Sequence, residues 1–143
     1  MMLINKDNLV FVGKRIDTTQ EAWQMPQGGL DKGEDPDQAA LRELEEEIGT
    51  KNVEVLDQTH SWLYYDLPEH LLGKAWKGKY RGQKQMWFLM RFLGHDNEIN
   101  INTPHPEFDT WKWTKLNELP NSIVSFKQDL YNTVIESFHK HFK

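Results

Sequence analysis

Three acidic side chains at helical spacing are the residues of this sequence best suited to chemistry. Glu43, Glu46 and Glu47 lie within an acidic segment, residues 28–50, which reads GGLDKGEDPDQAALRELEEEIGT. Residues three and four apart share one face of a helix, so a helix would gather these carboxylates on one surface. An aliphatic stripe falls on the opposite surface: Leu41, Leu44 and Ile48.

Such a group of like charges predicts a bound cation. Carboxylates at these spacings repel one another, and between Glu34 and Thr50 the only basic residue is Arg42. Hard divalent cations prefer carboxylate oxygens, and Mg²⁺ in particular joins one or two carboxylates to substrate phosphates. Zinc is a poorer match, because the histidines show no helical spacing with these acids. Taken alone, the pattern is also typical of a solvated surface helix.

The flanking residues predict the elements that must position these acids. Asp35 followed by Pro36 predicts the start of the helix, since Asp can cap free amides and Pro is tolerated in the first turn. Gln38, three residues after Asp35, completes a capping-box pattern. We expect the helix to run to about Ile48, where Gly49 suits its end. Before the helix, glycines crowd a loop: Gly28, Gly29 and Gly33.

The rest of the chain predicts further strands and a second helix. The expected strands are a hairpin from residues 2–4 and 9–12, two longer strands over 53–66 and 85–93, and a short strand over 111–114. A capping pair, Ser125 and Gln128, begins an amphipathic C-terminal helix. Its apolar residues recur at every fourth position: Phe126, Leu130, Val134 and Phe138. This order predicts an α/β or α+β sandwich with helices packed on a mixed sheet.

Composition restricts the class of protein. With 143 residues, 38% of them hydrophobic, and no cysteine, we expect one globular domain, residues 1–143, in the cytoplasm. No stretch has membrane-spanning length or the form of a signal peptide. The formal charge of −5 should repel nucleic acid and phosphate, so that any polyanion must be met by a local patch. We expect neither DNA nor a membrane as a partner. One basic stretch, residues 74–84, could face phosphates or form a solvated loop.

Aromatic residues divide between packing and stacking. Trp87, Trp111 and Trp113 stand in or beside expected strands, and we predict that they pack against the sheet. Others could stack on nucleic-acid bases, since aromatic stacking tolerates any base. These candidates are Trp62, Tyr64, Trp76, Tyr80 and Phe126.

The acidic segment also resembles a known motif, the Nudix box, G-x5-E-x7-R-E-U-x-E-E-x-G-U. Its fixed positions are filled here by Gly28, Glu34, Arg42, Glu43, Glu46, Glu47 and Gly49. Thr50 departs from the box, which has an aliphatic packing residue at that position. The resemblance to the Nudix hydrolases implies an α/β/α sandwich, with a mixed central sheet flanked by the Nudix helix and a C-terminal helix.

Further segments are similar to those of the bacterial RNA pyrophosphohydrolases, a subfamily also known as dinucleoside polyphosphate hydrolases. They are residues 23–29 (WQMPQGG), 82–88 (GQKQMWF), 106–111 (PEFDTW) and 125–127 (SFK). The resemblance implies an enzyme that removes pyrophosphate from the 5′-triphosphate end of RNA. The 5′-monophosphate left behind would promote mRNA decay. The alternatives are hydrolysis of diadenosine tetra- or pentaphosphate and a catalytically silent nucleotide-binding module.

The same resemblance implies a role for each candidate residue. Mg²⁺, or Mn²⁺ or another divalent cation in its place, would be held by Gly28, Glu43, Glu46, Glu47 and Glu107, with glycine contributing its backbone carbonyl. Either Glu46 or Glu47 would orient or deprotonate the attacking water. Glu34 would pair with Arg42 and hold the loop against the helix. No protein partner is implied.

Substrate binding is implied for a second set of residues: Arg15, Gln24, Lys84, Phe126 and Lys127. Members of the subfamily usually carry a Tyr-Arg-x-x-Val-Gly segment ahead of the first strand, and its arginine holds the RNA 5′ phosphates. This sequence starts at Met1, inside the first expected strand. That difference favours the dinucleoside substrate, whereas the segments 82–88 and 125–127 favour RNA.

Overall fold

The computed structural model describes residues 1–16, 22–30, 33–66, 82–123 and 127–142. Its strands are β1 (Met2–Ile4), β2 (Val10–Arg15), β3 (Trp23–Gln24), β4 (Val53–Gln58), β5 (Leu63–Asp66), β6 (Gly82–Gln85), β7 (Phe88–Phe92) and β8 (Phe108–Thr114). Its helices are α1 (Pro36–Ile48), α2 (Leu119–Ser122) and α3 (Gln128–Phe138). Short 3-10 turns span Asp96–Glu98, Leu116–Glu118 and His139–Phe142.

The main sheet is mixed, as expected. Its strand order is β3-β2-β1-β7-β4, and β8 pairs with β2 as well. Strand β1 is antiparallel to β2, where Ile4 lies opposite Val10, and parallel to β7, where Met2 lies opposite Leu89. Strands β5 and β6 form a separate two-stranded antiparallel sheet. The predicted hairpin of residues 2–4 and 9–12 is therefore confirmed.

A helix packs on each face of the main sheet. Side chains along a strand alternate between the two faces, so each face presents apolar residues to one helix. Met2, Ile4 and Val10 belong to a core that includes Leu130, Val134 and Phe138 of α3. The intervening residues face the other way, and Leu3 and Phe11 join a second core with Leu44 and Ile48 of α1. The predicted sandwich of helices on a mixed sheet is confirmed, with α1 and α3 on opposite faces.

The helix α1 begins and ends where the sequence predicts, but its start lacks the predicted side-chain cap. Gly49 adopts a φ of 78° and ends the helix, a conformation that glycine takes without steric cost. The side chain of Asp35 makes no capping hydrogen bond. Its backbone carbonyl accepts the first hydrogen bond of the helix, from the Ala39 amide at 2.9 Å. The prediction that Asp35 caps the helix through its side chain, as half of a capping box with Gln38, is therefore wrong.

The two long strands predicted over residues 53–66 and 85–93 are each divided in two. Between β4 and β5, the Thr59 hydroxyl accepts a hydrogen bond from the Trp87 amide at 3.0 Å. The Thr59 amide donates to the Trp87 carbonyl at 2.9 Å. The Thr59 hydroxyl thus takes the place of a backbone carbonyl as the acceptor. At this point the chain leaves the main sheet, which contains β4, and enters the two-stranded sheet, which contains β5.

The C-terminal helix and the aromatic core agree with expectation. Leu130, Val134 and Phe138 of α3 are buried, while Ser125 and Phe126 lie outside the described residues. Trp87 is 2% exposed and packs edge-on against Tyr131. Trp111 and Trp113 each contact the ring of Phe11. These tryptophans pack on the sheet, as predicted. Within the described ranges, no helix combines the length and the apolar character needed to cross a membrane.

Candidate active site

Arg42 connects helix α1 to the loop before it. Its Nε and Nη2 atoms donate to the two oxygens of Glu34 at 2.8 and 2.9 Å, and Nη2 also donates to the carbonyl of Gly29 at 2.9 Å. Nη1 lies 2.9 Å from Oε1 of Glu43 and 3.3 Å from Glu46. The pairing implied for Glu34 and Arg42 is present, and it raises the pKa of the Arg42 guanidinium, mainly through the hydrogen bond to Glu34.

The three helix acids differ sharply in exposure. The side chain of Glu46 is 58% exposed and that of Glu43 is 18% exposed, whereas Glu47 is only 5% exposed. The expectation that all three acids lie on a surface opposite the core is therefore wrong for Glu47. Helical periodicity predicts the direction in which each side chain points from the helix axis. How much of the helix surface is buried depends on the elements that pack against it.

Glu47 is the most perturbed group of the site. Its Oε2 atom is buried and has no hydrogen-bond partner, while a backbone hydrogen bond from Gln27 reaches the same carboxylate. Burial, with smaller contributions from Glu107 and Glu43, raises the pKa of Glu47 to about 8. Burial also raises the pKa of Glu43. A buried carboxylate oxygen without a donor is costly in free energy, so this atom marks a place where a ligand could bind.

Gly28 lies directly against Glu43. A Cβ atom built at Gly28 would stand 2.2 Å from the side-chain carboxyl of Glu43, while one built at Gly29 would meet nothing within 4 Å. Only a residue without a side chain allows the loop to approach this carboxylate so closely. Two of the five residues expected to hold a metal, Gly28 and Glu43, therefore lie side by side.

A cavity of about 540 Å³ opens beside these acids. It is lined by Glu43, Glu46 and Glu47 of α1, by Glu107 from the loop before β8, and by Asn100, Asn102, Thr103 and His105 of the same loop. The Asn100 amide donates to the carbonyl of Ile48 at 2.7 Å and fixes this loop to the end of α1. Sequence reasoning found the four acids but missed the polar residues 100–105. Their position just before Glu107 was the available signal.

The predicted substrate-binding residues are distributed around the site. Arg15, in β2, forms an ion pair with Glu107 at 3.2 Å. Gln24 is 5% exposed in β3, where it pairs with Gly13 of β2. Lys127 is half-buried at the start of α3. Phe126, the side chain of Lys84 and the basic stretch up to residue 81 lie outside the described residues. Of the stacking candidates that are described, Tyr64 is 71% exposed and Trp62 is half-buried.

The donor set fits a hard divalent cation. Carboxylate and carbonyl oxygens are the ligands that Mg²⁺ and Mn²⁺ prefer, and the partnerless oxygen of Glu47 adds an orphaned acceptor among them. Among the residues that the structure describes, no three acidic or histidine side chains already form a metal-ligating cluster. Instead, the guanidinium of Arg42 forms ion pairs with the carboxylates of Glu43 and Glu46.

Comparison with known proteins agrees with this arrangement. The model of the NUDIX domain matches residues 1–134. The chain is 54% identical to the RNA pyrophosphohydrolase of Sphingopyxis alaskensis, over 96% of this chain and 89% of that protein. It is 57% identical to the RNA pyrophosphohydrolase of Pelagibacter ubique, over 95% of this chain and 86% of that protein.

Solved structures show the same fold at lower identity. The dihydroneopterin triphosphate pyrophosphohydrolase of E. coli has a TM-score of 0.70 and 22% identity, covering 94% of this chain and 92% of that one. An Ap4A hydrolase of C. elegans has a TM-score of 0.68 and 18% identity, covering 99% and 96%. Nudix hydrolases generally use divalent cations, in keeping with the donor set described above. By its sequence, its fold and its intact acidic helix, this chain belongs to the Nudix family.

Proposed function

We propose that this chain is an RNA pyrophosphohydrolase, which hydrolyses the 5′-triphosphate end of RNA to a 5′-monophosphate and pyrophosphate. The identity of 54–57% to RNA pyrophosphohydrolases across nearly the whole chain supports this substrate. The residues 1–143 would act as a single domain in the cytoplasm, and the monophosphorylated product would promote mRNA decay.

The proposed chemistry relies on the acids around the cavity. Glu43, Glu46, Glu47 and Glu107, with the carbonyl of Gly28, would hold Mg²⁺, for which Mn²⁺ or another divalent cation could substitute. When bound, such an ion neutralises charge on phosphate oxygens and makes a water more acidic. Glu46 or Glu47 would orient or deprotonate the attacking water. Glu34 would act only through Arg42, by keeping the loop on the helix.

Substrate contacts are proposed on the walls of the same region. Arg15 is next to Glu107 and so could meet a phosphate close to the acids. Lys84, Phe126 and Lys127 would contact the nucleotide. Gln24, which is 5% exposed in β3, is proposed as a further substrate contact.

The alternative substrates receive less support. The Ap4A hydrolase of C. elegans is only 18% identical to this chain, a level of likeness that concerns the fold. A catalytically silent module would be expected to lack one of the box glutamates, and Glu43, Glu46 and Glu47 are all present.

Two substrates compared in one buffer test the proposal. We expect kcat/KM to be higher for a triphosphorylated RNA oligomer than for diadenosine tetraphosphate, with pyrophosphate and a 5′-monophosphorylated oligomer as products. Turnover should stop in a chelator and return with Mg²⁺ or Mn²⁺. The variant Glu47→Gln is the matched control and should lack turnover on both substrates. Faster hydrolysis of diadenosine tetraphosphate would transfer the assignment to dinucleoside polyphosphates.

A further inference from the structure

A chain of side-chain hydrogen bonds leads from the core to the loop at the acidic site. The indole nitrogen of buried Trp87 donates to Oε1 of Gln85 at 2.9 Å. An indole N–H can only donate, so the amide oxygen of Gln85 must face it and the amide nitrogen must face away. That nitrogen donates to Oε1 of Gln27 at 3.3 Å. Gln85 therefore bridges a core residue and a residue of the glycine loop.

Gln27 in turn contacts the site through its backbone. Its amide hydrogen-bonds to the carboxylate of Glu47, and the next residue, Gly28, packs against the carboxyl end of Glu43. Any displacement of Gln27 would therefore move the supports of two helix acids together. The Oε2 atom of Glu47 is buried and has no partner among the described residues, so the Gln27 amide is an important polar neighbour of this carboxylate.

The two ends of this chain of hydrogen bonds differ in rigidity. Trp87 is 2% exposed and packs edge-on against Tyr131 at 5.9 Å. Its amide donates to the Thr59 hydroxyl, and its carbonyl accepts from the Thr59 amide. Gln27 stands in a segment without regular secondary structure, ahead of residues 28–30, which are exposed. A side chain fixed by packing can hold a functional group in place more accurately than a loop without such support.

We propose that Gln85 is a positioning residue, which fixes Gln27 so that the Gln27 amide stays on Glu47 and Gly28 stays on Glu43. The expected effect of Gln85 on catalysis rests on the proposed hydrolase function, whereas its expected effect on the position of Gln27 does not. Gln85 ends β6 of the two-stranded sheet, so this contact also ties that sheet to the acidic site.

Hydrogen exchange tests the structural part without substrate or metal. In Gln85→Met, which keeps the length of the side chain but removes the hydrogen bonds to Trp87 and Gln27, the Gln27 amide should exchange about tenfold faster, while the α3 amides keep their rates. Gln58→Met is the matched control, because Gln58 is an exposed glutamine at the end of β4, and it should leave the Gln27 amide unchanged. Unchanged exchange in Gln85→Met would overturn the proposal even if the enzyme hydrolyses RNA.

A double-mutant cycle tests the catalytic part. Gln85→Met and Gln27→Met should each lower kcat about tenfold, as loss of outer supports does in metal sites, with little change in KM. The double variant should be no worse than Gln85→Met alone, because both single variants already remove the bond between Gln85 and Gln27. A rise in KM alone would make Gln85 a substrate contact, and additive losses would show that the two glutamines act separately; either result overturns the proposal. If the wild-type chain lacks turnover on RNA, the proposed function fails while the exchange result still decides the positioning role.

Discussion

The carboxyl group of Glu43 occupies the space that a side chain at Gly28 would fill. This contact joins the first and the fourth fixed residues of the Nudix box, which stand on a loop and on a helix. Close packing therefore explains why position 28 is a glycine. Backbone conformation does not explain it, because Gly28 is not among the residues with a positive φ.

Gly28→Ala should therefore impair catalysis more than stability. The new methyl group would displace Glu43, whose flexible side chain can move without disturbing the backbone. Displacement of a proposed metal ligand by about 1 Å can cost on the order of a hundredfold in rate. The measurement is kcat/KM beside the thermal midpoint. Gly29→Ala is the matched control, because a Cβ there meets nothing within 4 Å, and equal losses in the two variants would contradict the argument.

Arg42→Lys should weaken the proposed site, although it keeps the charge. A lysine ammonium cannot reproduce the two parallel hydrogen bonds to Glu34 while also reaching the Gly29 carbonyl. We expect a lower thermal midpoint and a fall of about tenfold in kcat/KM, as for other outer supports of metal sites. Steady-state kinetics and thermal unfolding measure these effects. Wild-type values for the lysine variant would mean that positive charge alone is sufficient here.

Glu47 should make the stability of the metal-free protein fall as the pH rises. Its folded-state pKa of about 8 lies above the ordinary value of 4.5, so the folded state binds the proton more tightly. The stabilisation is complete below the ordinary value and is lost as pH rises through the folded-state value. The groups that face Glu47 are Glu43, Glu107 and the Met1 amino group, whose pKa burial lowers to about 5 and whose effect has the opposite sign.

The comparison with Glu47→Gln removes the titration of Glu47, and in the variant the Met1 amine titrates without its attraction to Glu47. Between pH 5 and pH 8, in chelator, the wild-type free energy of unfolding should fall relative to the variant by on the order of 3 kcal/mol. Urea unfolding at several pH values measures the difference. Parallel pH profiles for the two proteins would show that Glu47 is ionised in the folded state throughout this range.

Thr103→Val should stabilise the protein. The Thr103 hydroxyl is buried without a hydrogen-bond partner, and removing such a group recovers about 1 kcal/mol of desolvation cost. Thr114→Val is the matched control, because the Thr114 hydroxyl donates to Glu118 at 2.9 Å, and its loss should lower the free energy of unfolding. Denaturant unfolding compares the two. A destabilised Thr103→Val would indicate that the hydroxyl has a partner in solution.

Local sequence patterns predicted most of the elements, because helix ends and apolar periodicity depend on neighbouring residues. Gly49 ends α1 where its position predicts, and Leu130, Val134 and Phe138 form the buried stripe of α3. The division between β4 and β5 could not be predicted, because it depends on the Thr59 hydroxyl meeting Trp87 across the sheet.

The candidate site was predictable in its residue types and not in its environment. The spacing of Glu34 and Arg42 within the box matches the ion pair that forms. The environment of Glu47 depends on loops distant in sequence, since the Gln27 amide lowers the pKa of Glu47 and the charge of Glu107 raises it. The polar loop 100–105 joins the cavity through a backbone hydrogen bond from Asn100 to Ile48, and no side-chain pattern encodes such a bond.

The position of β1 within the main sheet has a consequence for biosynthesis. Met2–Ile4 lies between β2 and β7, and its parallel partner, residues 89–91, is far along the chain. A ribosome makes β1 before β7, so one edge of β1 stays open until β7 has left the exit tunnel. Pairing between such distant segments is slow. Nascent chains that stop short of Phe92 would therefore display an unpaired apolar strand, the kind of surface to which chaperones bind.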